Sequence, residues 1–235
     1  MLDIDKLLGQ ILGSNQGQTL AGGLIVGGLA GAMTGKTGKK VATTALKLGG
    51  AAAIAGLAYK AYQHYRSSQQ SVSAAPPSRA DEPAFVAARN IAPRVSDEWD
   101  DPPPSDSGFL PPVRDRSATD ALSSKLIHAM ISVAKADGRI DAQESAHIFR
   151  QVEGLGLNDE ERHFLISAVS APWSVEQVAA AADSPEEAAE IYAASLLAAK
   201  SSGAAEQQHL AKLADLLNLD PVLVQTIRKD AAVTA

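Results

Sequence analysis

The stretch from Ala134 to Glu144, with the sequence AKADGRIDAQE, constrains the fold of this chain more than any other. Before it, apolar residues recur at helical spacing from Leu122 onward. Asp137-Gly138 predicts the end of that helix, because glycine readily takes the left-handed conformation of a helix C-terminus. Asp141, with Glu144 three residues later, is typical of a capping box that begins a second helix. The stretch therefore predicts two helices joined by a turn that carries three carboxylates.

The three carboxylates at this turn, Asp137, Asp141 and Glu144, have two interpretations. In the first, Asp141 and Glu144 cap the second helix and Asp137 is a solvated turn residue. In the second, all three bind calcium or magnesium, since hard cations prefer oxygen ligands. The spacing does not fit an EF-hand loop, and spacing alone favours capping, because capping boxes are the commoner motif. Both interpretations stay open at this point.

The chain from residue 119 to 235 contains regularly spaced helix starts and stops. Four further start signals follow the turn, and each places a capping residue, or a proline, at a helix N-terminus. They are Asn158–Glu161, Ser174–Gln177, Ser184–Glu187 and Asp220-Pro221. Together with the two helices on either side of the turn and a helix that begins after Gly203, these signals predict seven helices with short connections. No strand pattern is present, so the prediction for 119–235 is an all-α bundle.

Residues 1–66 are rich in glycine and alanine. Thr19–Gly35 contains no charged residue, and its glycines at 23, 27, 31 and 35 would form one small-residue face on a helix. A second small-residue stretch, Val41–Tyr59, is interrupted only by Lys47. We predict a glycine-rich helical hairpin that contacts the lipid bilayer and self-associates through the glycine face. A flexible arm or a soluble helical hairpin are the alternatives, and one span, two spans and an interfacial hairpin stay open.

Residues 67–118 hold nine of the twelve prolines, together with serine and acidic clusters. Such a composition buries too little apolar surface to offset the entropy of ordering the chain. It predicts a disordered linker between the N-terminal segment (1–66) and the helical domain (119–235).

Composition excludes several function classes. The chain has no cysteine, so it forms neither a disulfide framework nor a cysteine-based zinc site. Its net charge of −6 disfavours nucleic acid as a partner, because phosphate binding needs a basic face. No nucleotide-binding or nucleophile motif is present, and we predict that the chain is not an enzyme. The alternative is a di-metal enzyme that uses two Glu-x-x-His pairs, Glu144–His147 and Glu206–His209.

The stretch AKADGRIDAQE resembles the signature of TerB-like tellurite-resistance domains, and AAEIYAASLLA from Ala188 to Ala198 is similar to a later helix of one TerB-like subfamily. The resemblance implies an all-helical fold and a divalent metal at Asp137, Asp141 and Glu144. It also implies a bacterial inner-membrane protein with a glycine-rich N-terminus and a link to tellurite or envelope stress. A membrane-tethered interaction module with an unidentified protein partner is the function expected. The lysines at 36, 39 and 40 favour a cytoplasmic location for the helical domain.

Overall fold

A computed structural model describes residues 3–13, 50–73, 102–104, 106–112, 115–136, 157–199 and 203–232 of the chain. These residues form eight α-helices and no β-strand. The helices are α1 (Ile4–Gly13), α2 (Gly50–Ser73), α3 (Arg116–Ala134), α4 (Asp159–Ser170), α5 (Val175–Ala180), α6 (Pro185–Ala198), α7 (Ala204–Leu216) and α8 (Pro221–Ala232). The all-α prediction is confirmed.

The helix starts in the C-terminal half follow the predicted caps. The Asn158 side chain accepts from the Glu161 amide, and the Glu161 carboxylate accepts from the Asn158 amide, which completes a capping box. Ser174 and Gln177 form a second capping box at α5. Helices α3 to α8 account for six of the seven helices predicted for 119–235. The remaining one, which follows Asp141, lies outside the described residues.

Helix α6 is the centre of the bundle, with α2, α3, α5, α7 and α8 packed around it. Its alanines allow close approach on every side, and Tyr192 is fully buried among its neighbours. The Tyr192 hydroxyl accepts a hydrogen bond of 2.7 Å from Arg228 Nε of α8. A buried tyrosine needs such a partner for its hydroxyl, so this contact connects α8 to the centre of the bundle.

Helices α1 and α2 share one hydrophobic core with the C-terminal helices. Asp120 of α3 accepts hydrogen bonds from the amides of Ile4 and Asp5 at 3.0 and 3.2 Å, and so caps the first turn of α1. Asp5 Oδ1 in turn accepts from the Ala51 amide at 2.9 Å and from Ser123 Oγ at 3.2 Å. The largest side chains of α1 and α2 that are fully buried are Leu7, Leu8, Leu12, Ile54 and Leu57.

The backbones of α1 and α2 are in contact at Gly50. A Cβ atom at this position would lie 2.5 Å from the Gly9 nitrogen and 2.5 Å from Leu8 Cγ. Glycine is therefore required here by the approach of α1 rather than by a turn. The predicted glycine face at residues 23–35 lies outside the described residues. None of the described helices combines the length and apolar character needed to cross a membrane.

Two of the helices run across the predicted segment boundaries. Helix α2 continues through residues 66 and 67, and α3 begins at Arg116, before residue 119. Beyond Gly56, α2 also contacts the last helix: Tyr65 OH donates to Asp220 Oδ2 at 2.9 Å, and His64 Nδ1 lies 2.9 Å from Asp230 Oδ2. Helices α2 and α8 are thus neighbours in the fold.

Part of the predicted linker is packed against the bundle. Phe109 is 1% exposed, and its ring lies 5.6 Å from the Tyr59 ring and 5.5 Å from the Tyr62 ring, centroid to centroid. The average composition of 67–118 predicts disorder, because a single well-placed aromatic residue hardly changes that average. Burial of an aromatic ring is nevertheless one of the larger single contributions to packing.

Candidate functional site

The predicted metal ligands Asp137, Asp141 and Glu144 all lie outside the described residues, which stop at Ala136 and resume at Leu157. The site they would form stays a prediction. Helix α3 ends at Ala134, where the Lys135 amide donates to the carbonyls of Ile131 and Val133. The Lys135 ammonium donates to the Val169 carbonyl at the end of α4. Helix α3, which precedes the acidic turn, is thus in contact with α4.

A group of charged residues lies between α3 and the start of α6, and we call it the polar seam: Lys125, Asp183, Glu187 and Glu190. Lys125 Nζ donates to Asp183 Oδ2 at 2.6 Å and to Glu187 Oε2 at 2.8 Å. Burial acts against the charge of Lys125, but the hydrogen bonds with Asp183 and Glu187 outweigh it, and the pKa of Lys125 is raised. The seam therefore joins α3 to the N-terminus of α6 through a charged lysine.

Glu190, one turn further along α6, is fully buried. Neither of its carboxyl oxygens has a hydrogen-bond partner among the residues that the structure describes. Burial raises the pKa of Glu190 well above its usual value, the carboxylates of Glu187 and Glu186 raise it further, and Lys125 opposes the rise. A charge without a partner is costly in an apolar interior, so the side chain is held as the neutral acid.

An aromatic group lies on the other side of α3. The His128 ring stacks on the Trp173 ring with 4.0 Å between centroids and 3° between planes, and Phe164 meets His128 edge-on at 5.7 Å. Ser132 Oγ donates to the Trp173 carbonyl at 2.8 Å and fixes the loop before α5. The buried His128 Nδ1 has no hydrogen-bond partner within the described part of the chain, and burial lowers the pKa of this imidazole. His128 is accordingly a neutral packing residue.

The second Glu-x-x-His pair, Glu206 and His209, lies in the first turns of α7. Glu206 is buried and folds over Gly203, where a Cβ atom would lie 1.8 Å from Glu206 Oε2. The buried Nε2 of His209 has no hydrogen-bond partner among the described residues, and burial lowers the pKa of this side chain. The first pair, Glu144 and His147, lies outside the described residues. Within the described ranges, no three histidine or carboxylate side chains come together as metal ligands.

Sequence reasoning missed Glu190 and His128, although both carry a signal. Glu190 stands in the run from Ala188 to Ala194, which is apolar on every side of the helix, and such a helix is buried all round. A lone glutamate in that run must be buried with it. His128 follows Leu126 and Ile127 directly and precedes Met130, so it borders the apolar face of α3.

Residues 7–231 match the model of the family described as "Protein of unknown function (DUF533)". The chain belongs to the DUF533 family. This family is TerB-like, which agrees with the resemblance of the AKADGRIDAQE stretch. Neither the curated proteins nor the solved structures contain a match to the chain.

The DUF533 match begins within α1 and ends within α8. It therefore covers the N-terminal helices as well as the C-terminal bundle. This extent agrees with the packing, because α1 and α2 contribute to the same core as α3 and α6. A glycine-rich membrane subfamily within DUF533 stays a prediction.

Proposed function

We propose that this DUF533 protein is a membrane-attached, non-enzymatic interaction module of the bacterial inner membrane. In this proposal the glycine-rich segment between α1 and α2, residues 14–49, contacts the lipid, and the helical bundle binds a protein partner. The uncharged run Thr19–Gly35 supports the lipid contact. The proposal involves no tellurium chemistry, because a chain without cysteine has no thiol to reduce tellurite.

The packing of Gly50 on Leu8 and Gly9 is the observation that carries the proposed arrangement. Gly13, the last residue of α1, is four residues from Gly9, which is about 6 Å along a helix. Gly13 and Gly50, the described residues that border the glycine-rich segment, thus lie close together. A single membrane crossing would separate α1 from α2 by the hydrocarbon thickness of about 30 Å. The proposal therefore places the whole bundle on one side of the bilayer.

The position of α2 also argues against two full crossings. Half of the second small-residue stretch, residues 50–59, belongs to the part of α2 that packs in the core. The remaining residues 41–49 would extend about 14 Å as a helix, which is less than half of the hydrocarbon thickness. They also include Lys47. We therefore propose that the segment enters the lipid from one side, as an interfacial or re-entrant contact.

The lysines at 36, 39 and 40 set the side in this proposal. Basic residues next to apolar segments stay preferentially in the cytoplasm. If the glycine-rich segment contacts the bilayer from one side only, these lysines and the bundle lie on that same side. We therefore propose a cytoplasmic bundle.

Two cysteine variants of the full chain test the arrangement, since the natural sequence has no cysteine. Lys6 of α1 and Ser67 of α2 are both exposed, and they flank the glycine-rich segment. In inverted inner-membrane vesicles, an impermeant maleimide should label Lys6→Cys and Ser67→Cys equally, and in spheroplasts it should label neither. Labelling of the two positions from opposite sides contradicts the proposal.

Liposome flotation tests the lipid contact itself. The double variant Leu24→Glu/Leu29→Glu should lose flotation, because it places two charges in the uncharged run. The matched control is Leu216→Glu/Val222→Glu, which adds the same two charges at exposed apolar positions of the bundle, 46% and 53% exposed. If both double variants float as the unmodified protein does, the segment is not the lipid contact.

A further inference from the structure

In the segment from Asp106 to Leu110, with Pro111 and Pro112 following, Phe109 is buried in the core and Leu110 packs partly against it. We call these residues the 106–112 segment. Its anchor, Phe109, is 1% exposed between the rings of Tyr59 and Tyr62, whereas Leu110 is only half-buried. The two tyrosines form an aromatic seat on α2, and we call it the Tyr59–Tyr62 site. The Arg66 guanidinium lies over the outer side of this site, 5.9 Å from the Tyr62 ring centre.

The hydrogen bonds described for the 106–112 segment are local. The Ser107 amide donates to the Pro104 carbonyl at 2.9 Å, and the Phe109 amide contacts Ser107 Oγ at 3.4 Å. At the other end, the Asp115 amide donates to the Pro112 carbonyl at 2.7 Å. None of these bonds reaches α2 or α6. The segment can leave the bundle without breaking a described hydrogen bond to it, and what it gives up is apolar packing: the buried Phe109 ring and the part of Leu110 that packs against the core.

Two features hold the segment in the shape that presents this ring. Gly108 has a φ of +80°, and a Cβ atom there would lie 3.2 Å from Glu186 Cγ, so both the backbone angle and the space require glycine. Pro111 and Pro112 fix the chain after Leu110 in an extended conformation, which lowers the entropy lost on docking. A glycine, an aromatic residue, a leucine and two prolines thus form a short docking motif.

We propose that the Tyr59–Tyr62 site is a peptide-docking site, and that the chain's own Gly108-Phe-Leu-Pro-Pro112 motif occupies it as an internal ligand. The partner that the site accepts is a short peptide of the same chemistry, with an aromatic side chain after glycine and prolines behind it. Binding of such a peptide displaces Phe109 and frees the 106–112 segment from α2. Small aromatic anchors of this kind commonly carry most of the energy of a docking contact. This goes beyond the proposed membrane attachment and requires no lipid.

The test uses the full chain carrying Phe109→Ala and a synthetic peptide that spans residues 105–112. The peptide should bind the Phe109→Ala protein. A control peptide with alanine at the position of Phe109 should not bind. The unmodified protein should bind at least tenfold more weakly, because an attached segment competes at an effective concentration on the order of millimolar. Adding Tyr59→Ala to the Phe109→Ala protein should abolish binding. A folded Phe109→Ala protein that ignores the peptide overturns the proposal.

Hydrogen exchange of the unmodified protein gives a second, independent readout. If the segment undocks by itself, the Ser107 and Phe109 amides, which donate the hydrogen bonds described above, exchange through an opening that needs much less denaturant than the opening of the core helix α6. If these amides exchange only with global unfolding, Phe109 is an ordinary core residue and the proposal is wrong. The same measurement decides the question should Phe109→Ala fail to fold.

Discussion

Lys125 of α3 and Glu190 of α6 lie in the same polar seam, yet Lys125 gives its hydrogen bonds to Asp183 and Glu187, and Glu190 receives none from the described residues. The lysine pairs with the two carboxylates that lie nearer the surface. Glu190 remains buried as a neutral acid, because ionising it would place an unpaired charge in the apolar interior. The α3–α6 contact therefore combines an ion pair at its rim with a protonated carboxyl inside it.

Replacing Glu190 by glutamine should stabilise the protein more as the pH rises. The pKa of Glu190 is raised in the folded state above the ordinary value of 4.5. Above pH 4.5 the unfolded chain releases this proton while the folded chain keeps it, so the free energy of unfolding falls as the pH increases. Glu190→Gln removes that loss. Its unfolding free energy should match the unmodified protein near pH 4 and exceed it at pH 8, as measured by denaturant titration. Asp215→Asn, at an exposed position, is the control for replacing a carboxylate by an amide outside the core.

His128 should give the opposite pH dependence and a spectroscopic signal. Its pKa is lowered below 6.5 in the folded state, so below pH 6.5 the unfolded chain binds a proton that the folded chain does not. Its contribution to stability is therefore lost as the pH falls below 6.5. In a Trp99→Phe background, Trp173 is the remaining tryptophan, and protonation of the stacked imidazole should quench its emission with a midpoint below pH 6.5. His128→Phe keeps a ring on Trp173 and should abolish the transition. A transition that survives in His128→Phe would assign the quenching to another group.

Two glycines of α2 provide a matched pair of substitutions. Gly50→Ala should destabilise the protein by about 1–3 kcal/mol, because the new Cβ atom would lie 2.5 Å from α1 and the helices would have to separate. Gly56→Ala meets no atom within 4 Å and should stabilise the protein by about 0.5–1 kcal/mol through helix propensity. Thermal or denaturant unfolding of the full chain measures both effects. Equal effects of the two substitutions would show that α1 does not pack at Gly50.

Variants at the acidic turn separate the capping interpretation from the metal interpretation. Asp141→Asn keeps most of the capping ability and removes one charge, and Asp137→Asn removes a charge that the capping box does not use. Asp141→Ala removes both functions and should cost about 1 kcal/mol through the cap alone. If Asp137, Asp141 and Glu144 bind calcium or magnesium, millimolar ion should raise the melting temperature of the unmodified protein, and both asparagine variants should lose that rise.

The melting temperature should be measured on the full chain, because α1 and α2 are part of the core against which the C-terminal helices pack. A monovalent salt of equal ionic strength is the control. An unmodified protein whose melting temperature responds to calcium and magnesium no more than to that salt has no such site, and the carboxylates then act as caps alone.

The sequence by itself determined the helical class and the start of most C-terminal helices. Caps such as Asn158 with Glu161, and Ser174 with Gln177, are satisfied within four residues of the chain, so local sequence is enough to predict them. The family resemblance was equally local, since it rests on short runs of residues. These predictions needed no knowledge of what lies on either side of each helix.

The tertiary structure alone decided which helices share a core and which polar residues are buried in it. The contact of Gly50 with Gly9 joins positions 41 residues apart in the chain, and the hydrogen bond from Ser123 to Asp5 joins positions 118 apart. A glycine-rich run has the same composition whether its flanking helices pack against lipid or against the bundle. Burial of Glu190 and docking of Phe109 likewise depend on neighbours brought together by folding, because desolvation is set by the surrounding elements and not by the adjacent residues of the chain.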